Sequence, residues 1–405
     1  MFFSEIKKLD KQYVANTYAR NDLDASSGTG AVCVDGSGKK YIDFTSGIGV
    51  NSLGFTNPAW VDAVKSQLDN LAHISNLFYT TPQMQLAKLL CEKTGMCRVF
   101  FGNSGAEANE GAIKTARKYG SDKYGPQRNE IITLVNSFHG RTIATLAATG
   151  QDVFHKNFGP FPEGFVYANA NDIADLQAKV SDKTCAIMIE CVQGEGGIIP
   201  LEKSFTNAIA AICAEKDILL VIDEVQTGVG RTGKFLSCEH YGLRPDIVTL
   251  AKGLGGGLPI GAVLFGEKTK DTLGLSDHGS TFGGNPVVCA GAIEVIKAMD
   301  GKFLDSVAET GAYLAESLKK LDHVKGVTGK GLMLGVEPAD GLVAGSIVKT
   351  GIKHGIFLLT AKSKVRFLPP LTISKDEIDS GLAILQEVLN KEMQALEAAQ
   401  KETAQ

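Results

Sequence analysis

The chain has 405 residues, 44% of them hydrophobic and 21% charged, with a formal net charge of −4. That length supports a large core and two or three domains, and the composition is that of a soluble globular enzyme. The slight acidity without a long Lys/Arg block argues against a nucleic-acid partner, and no run of about 18 apolar residues offers a membrane span.

Residues 1–12, MFFSEIKKLDKQ, turn charged after a pair of phenylalanines, so no secretory signal is expected. Turn-rich short strands are expected over 12–55, where VCVDGSGKKYIDF (32–44) reads as a hairpin turning at Gly36 and Gly38. From about 98 to 265, short apolar runs alternate with helical stretches. The strand candidates are RVFF (98–101), EIITLV (130–135), CAIMIECV (185–192), ILLVIDEV (218–225), DIVTL (246–250) and AVLFG (262–266). Helices are expected over 105–119 and 204–216. This alternation predicts βαβ units, hence an α/β fold with a mostly parallel sheet covered by helices. Pro286 then opens a helix to about Met299, and a second amphipathic helix spans 303–320. Short strands fall near 327–336 and 365–368, and a helix near 376–397 closes the chain. The last residues, AAQKETAQ, are expected to fray. The expected organisation is a large α/β domain over 51–284 and a smaller α+β domain built from 1–50 and 285–405. The eight cysteines show no C-x-x-C spacing and sit mostly in apolar surroundings, as reduced thiols of a cytoplasmic protein do. The seven histidines form no H-E-x-x-H set, so no metal site is expected.

The chemistry-bearing residues fall at the ends of the strand candidates. In FGNSGAEANEGAIKTARK (101–118), Ser104 with Glu107 reads as a capping box. Gly105 and Ala106 then offer unhindered backbone N–H groups, an anion site suited to phosphate. NSFHGR (136–141) brings Phe138, His139 and Arg141 to the same edge, an aromatic that can stack and a guanidinium that can grip a carboxylate. IECVQGEGG (189–197) adds Glu190 and Glu195 on a glycine turn. Asp223 ends the apolar run ILLVID, and Lys252 sits in the glycine-rich VTLAKGLGGGLPIGAV (248–263). A lysine in such a loop can carry an aldehyde cofactor covalently, while a buried carboxylate keeps the cofactor's ring nitrogen protonated. Gly228, Gly230 and Gly233 satisfy G-x-G-x-x-G, and the same stretch gives G-x-x-x-x-G-K. Both nucleotide readings fail: Asp223 and Glu224 would meet the pyrophosphate, Phe235 replaces the P-loop hydroxyl, and no helix pattern follows. Further on, HGSTFGGNP (278–286) offers Ser280 and Thr281, and VRFLPPL (365–371) places Arg366 before a diproline.

Together NSGAEANE, FHGR, QGEGG, DEVQTGVGRTG, AKGLGGGLPIGA and STFGGNP resemble the class III aminotransferases, fold type I enzymes that use pyridoxal 5′-phosphate (PLP). The likeness is nearest to the acetylornithine aminotransferase group and spans NTYAR (16–20) to RFLPPL (366–371). It implies that Lys252 carries the cofactor, Asp223 binds its ring nitrogen, Gln226 its hydroxyl, and Phe138 stacks on its ring. It also implies that Ser104, Gly105 and Ala106 hold the phosphate, with Thr281 reaching it from the other subunit of a homodimer. Arg141 and Arg366, with Ser280 nearby, would bind substrate carboxylates, and Glu195 would pair with Arg366 in one half-reaction. The implied reaction takes N-acetylornithine and 2-oxoglutarate to N-acetylglutamate 5-semialdehyde and glutamate, a step of arginine biosynthesis. Succinylornithine, ornithine and 4-aminobutyrate stay open as donors, as does a non-catalytic PLP-binding regulatory protein. Cys191 stands where the family commonly has proline, and Phe55 where it has histidine. Ile48 occupies the place of a tyrosine that meets ornithine's α-amino group in ornithine aminotransferases, which favours a donor whose α-amine is acylated.

Overall fold

The computed structural model describes residues 2–403 and centres on a seven-stranded sheet. Its spatial order is Arg98–Gly102, Gly261–Phe265, Ile247–Leu250, Leu219–Asp223, Thr184–Ile189, Glu130–Leu134 and Phe165–Ala168. Every residue of Thr184–Ile189 and Leu219–Asp223 is buried, which is why both read as unbroken apolar runs rather than alternating ones. Gly261–Phe265 runs antiparallel to both of its neighbours. The short link after Leu250 cannot hold a crossover helix, so the chain must turn straight back. Phe165–Ala168, not anticipated from the sequence, is a four-residue edge strand, half-buried except at Ala168.

Parallel pairing sets Asp223 beside Thr249 and Ile222 beside Ile189. The strands therefore end together, and Glu190, Asp223 and the loop carrying Lys252 emerge at one carboxyl edge, where sheets of this type bind ligands. Helix Gly105–Tyr124 lies across the sheet on Ala108, Ala112 and Ala116, whose small side chains allow close approach. Helix Pro286–Ala298 packs on Pro58–Asn70 and Thr81–Thr94.

The two ends of the chain meet in a smaller sheet, where Ile356–Phe357 pairs in parallel with Lys40–Asp43 beside the expected hairpin. A second small antiparallel sheet holds Val324–Lys330, Met333–Pro338, Lys364–Phe367 and Leu359–Ala361, and sets Arg366 opposite Gly335. The first and last helices also differ from expectation. Phe3–Tyr13 is a helix with no buried residue, so it carries no strong core-facing signal. The closing helix runs Lys375–Thr403, so 398–403 stay helical rather than fray; they are mostly strong helix formers. Ala404 and Gln405 lie outside the described residues, as does Met1.

Candidate active site

A cavity of about 650 Å³ opens at the carboxyl edge of the parallel strands, with Asp223 and Lys252 among its walls. Asp223 is 3% exposed. Its Oδ2 lies 2.7 Å from His139 Nδ1 and accepts from Asn109 Nδ2 at 2.8 Å, while Oδ1 accepts from Val225 N–H at 2.9 Å. Three donors occupy three of roughly four lone-pair positions, leaving one for a donor from the cavity. Burial works against a charge on His139, but the hydrogen bond and charge of Asp223, with Glu190 adding, hold its pKa above the ordinary value. The carboxylate thus fixes Nδ1 as the protonated nitrogen.

Lys252 stands on a one-turn 3₁₀ helix after Ile247–Leu250, in a left-handed conformation with φ 41°. For a side chain with a Cβ this costs about 1–3 kcal/mol, a strain that clusters at functional sites. Burial pushes its amine below the usual lysine pKa, with Glu195 and Asp223 opposing and Arg366 adding. Its ammonium has no ion pair or hydrogen bond among the described residues. The lysine loop touches the phosphate turn directly: a Cβ on Gly261 would lie 2.1 Å from Ser104 O.

Helix Gly105–Tyr124 points its N-terminus into the cavity. Ser104 Oγ accepts from Glu107 N–H at 3.1 Å, as expected. The return bond of the capping box is displaced: Glu107 accepts from Asn103 N–H at 2.8 Å, one residue before the cap, instead of from Ser104 N–H. Asn103 Nδ2 donates to the same carboxylate at 3.0 Å, which draws it to that side. The first-turn N–H groups of Gly105 and Ala106 have no intrahelical acceptor and face an anion-sized space. Gly105 must lack a side chain, since a Cβ there would stand 2.6 Å from Val225 Cγ1.

The other wall carries Phe138 and Arg141. Phe138 N–H donates to Glu190 Oε1 at 2.9 Å, and Glu190 Oε2 accepts from Gly194 N–H at 3.1 Å. Glu190 thereby ties the aromatic wall to the turn bearing Glu195. Burial pushes its pKa up to about 7, with His139 opposing and Asp223 adding. Arg366 is 3% exposed and donates through Nη1 to Glu195 Oε1 at 2.5 Å and to Gln226 Oε1 at 3.3 Å. Gln226 Nε2 donates to Glu195 at 3.3 Å, closing the triangle. Burial alone would raise the Glu195 pKa, but the charge and hydrogen bond of Arg366 bring it below the usual range.

Ser280 and Thr281 line a second cavity of about 550 Å³. Ser280 Oγ accepts from Asn103 Nδ2 at 3.2 Å, so the two cavities adjoin at Asn103. Thr281 is exposed. Ile48 is 43% exposed and, like Cys191 and Phe55, is not among the residues around the main cavity. Sequence reading passed over Asn109, Tyr18 and the bracing role of Glu190. Only Asn109 left a signal, a polar residue on the alanine stripe of its helix. The G-x-G-x-x-G stretch opens no helix; it is a turn-rich loop around the buried Arg231. No group of three or more His, Cys, Asp or Glu among the described residues is placed to hold a metal.

Three features fit a flat, phosphorylated cofactor with a ring nitrogen: the open acceptor position on Asp223, the free N–H groups behind Gly105, and the unpaired Lys252 between them. Residues 13–389 match the aminotransferase class-III family. An acetylornithine aminotransferase of Haemophilus ducreyi is 52% identical, covering 96% of this chain and 100% of the relative. Another from Caldanaerobacter subterraneus is 48% identical over 94% of this chain and 98% of its own. Among solved structures, the ornithine aminotransferase of Toxoplasma gondii superposes with a TM-score of 0.92 at 31% identity, covering 98% of this chain and 96% of that one. The N-acetylornithine aminotransferase of Stenotrophomonas maltophilia gives 0.83 at 34% identity, covering 96% and 99%.

Proposed function

The chain belongs to the class III aminotransferases, fold type I enzymes dependent on pyridoxal phosphate, and we propose that it moves the terminal amino group of N-acetylornithine to 2-oxoglutarate. The products are N-acetylglutamate 5-semialdehyde and glutamate, a step of arginine biosynthesis. The observation that carries this reading is Arg366, buried, already neutralised by Glu195 and bonded to Gln226 of the cavity wall, with an unpaired Arg141 on the same cavity. Glutamate has two carboxylates, one beside its reacting amine. N-acetylornithine has only the distant one. Arg141 suits the carboxylate both share, and Arg366 the one that only glutamate brings. Glu195 covers Arg366 when nothing else does.

Bound in the cavity, PLP supplies a ring that takes up the electron pair left when the substrate's amino-bearing carbon loses a proton. Asp223 holds a proton on the ring nitrogen, and His139 and Asn109 keep that carboxylate aimed. The N–H groups of Gly105 and Ala106, beside the cap Ser104, take the phosphate. Phe138 would face the ring and Gln226 its hydroxyl. Lys252 would hold the cofactor through its amine. Freed of the cofactor, Lys252 would take up and pass on the proton that leaves the substrate's amino-bearing carbon, and burial, which lowers its pKa, favours the neutral amine that can accept it. A panel of ω-amino donors, each followed through a single half-reaction, tests the assignment. N-acetylornithine is expected to react fastest, and a clear preference for ornithine or 4-aminobutyrate overturns it.

The working unit we propose is a homodimer in the cytoplasm. Thr281 is exposed beside Phe282, 60% exposed, and the same side of the chain shows Leu77 at 87% and Tyr79 at 94%. Apolar side chains grouped in this way favour a partner surface, and a second copy would bring Thr281 to the phosphate end of the opposite site. No helix among the described residues is long and apolar enough to cross a membrane. Mixing Lys252→Ala with Thr281→Asp subunits is expected to restore activity that neither has alone, because one site of the mixed dimer is then intact. A fully active monomer in sedimentation, or no gain on mixing, overturns the shared site.

A further inference from the structure

Arg141 has no hydrogen bond and no ion pair among the described residues, yet it is not loose. Its Cζ lies 4.1 Å from the centroid of the Phe154 ring and 5.5 Å from that of Phe138. Phe154 meets Phe138 edge-on, with centroids 5.8 Å apart and planes at 79°. Phe154 itself does not line the cavity. It ends a one-turn 3₁₀ helix, Asp152–Phe154, tied back to the strand end that bears Phe138: Gln151 Nε2 donates to Ser137 O at 3.0 Å. The segment carrying the ring and the segment carrying the arginine are therefore fixed to each other.

We propose that Phe154 is a positioning residue that holds the Arg141 guanidinium ready for the distal carboxylate of both substrates. The inference rests on the reading of Arg141 given above. A carboxylate could also hold an arginine still, but it would neutralise the charge and occupy the N–H donors. An aromatic face orders the guanidinium through its flat side and leaves the donors at its rim unspent. Ordering the side chain beforehand removes part of the entropy cost of binding. The two arginines of the site are thus held by opposite means, and each suits its task. Arg366 meets a carboxylate in only one half-reaction and has a partner, Glu195, that can yield. Arg141 meets a carboxylate in both and rests on a ring that competes with neither.

The test compares Phe154→Leu, which keeps bulk without the ring, with Phe154→Ala and Phe154→Tyr in the PLP-loaded enzyme. Phe154→Leu and Phe154→Ala are expected to raise KM for N-acetylornithine and for 2-oxoglutarate roughly three- to tenfold while kcat stays within about twofold, and Phe154→Tyr is expected to retain the wild-type KM. On an Arg141→Ala background, Phe154→Leu should add nothing, because the two residues act as one unit. If Arg141→Ala raises both KM values and Phe154→Leu leaves them unchanged, the positioning role is overturned and the reading of Arg141 stands. A fall in kcat at constant KM, or a further rise in KM on the Arg141→Ala background, also overturns it, since the ring would then act by packing. If Arg141→Ala itself leaves both KM values unchanged, the reading of Arg141 fails first.

Discussion

Lys252→Ala is expected to lose turnover by on the order of 10⁴-fold, the upper range for a positioned acid–base group, while still binding PLP. The two halves of this outcome come from different parts of the site. In the proposed site, cofactor affinity is spread over the N–H groups behind Gly105, the Asp223 carboxylate and the wall at Phe138, none of which depends on the lysine side chain. Proton movement is assigned to the lysine, since the Glu190 carboxyl on the same cavity is taken up by the N–H groups of Phe138 and Gly194. Among the described residues, Lys252 is the only lysine around the main cavity, its amine is unpaired, and its buried position favours the neutral form. The direction of that shift matters. An ordinary lysine, with a pKa near 10.4, is neutral in fewer than about one molecule in a thousand at pH 7, so lowering the pKa enlarges the fraction able to take a proton. The fold sustains the left-handed backbone at Lys252 against its own strain, which sets the side chain's direction. Borohydride reduction of the wild type followed by peptide mapping should locate the cofactor on Lys252, and on no residue in the variant. A label on another lysine in the wild type sinks the assignment, as does residual turnover near the wild-type rate.

What made Lys252 and Asp223 legible was their position after fully buried strands. A charged residue closing an unbroken apolar run must emerge at the sheet edge, and the parallel register then aligns the edges. The same signal exposed Phe138 and Glu190. It did not expose Phe165–Ala168, a short edge strand, or Phe3–Tyr13, a helix without a buried residue. Nor could spacing reveal that Arg366, Glu195 and Gln226 converge, since they come from three separate segments and meet through folding alone; the family resemblance supplied only the pairing of Glu195 with Arg366. Asn109 and Phe154 act through other residues, one on Asp223 and one on Arg141, and a residue of that kind carries no motif of its own. The displaced capping bond of Glu107 is local, but it depends on a competing donor from the Asn103 side chain that a pattern does not weigh.

Glu195→Gln is expected to split the two half-reactions. The carboxylate of Glu195 stands 2.5 Å from Arg366 Nη1, and Gln226 bonds to both. Arg366 is 3% exposed and its Nε has no partner, so Glu195 supplies the single compensating charge among the described residues. Leaving one member of a buried pair uncompensated costs about 3–5 kcal/mol, part of which the neutral amide recovers through a hydrogen bond. When glutamate binds, its α-carboxylate supplies the missing charge, and Glu195 no longer has to be displaced. That half-reaction should hold its rate or gain. When N-acetylornithine binds, nothing negative lies beside its reacting amine, and the unpaired arginine stays in a partly dry site close to Lys252. Its charge disfavours protonation of the lysine and draws any loose carboxylate, the donor's own included, into the wrong position. Even about 1.4 kcal/mol of this penalty slows the N-acetylornithine half-reaction tenfold. Single-turnover rates measured separately with N-acetylornithine and with glutamate decide the matter. A loss of tenfold or more confined to N-acetylornithine supports Glu195 as the cover for Arg366. Equal losses in both directions would reduce it to a brace for its loop, and the two substrates would then need another way to share one site.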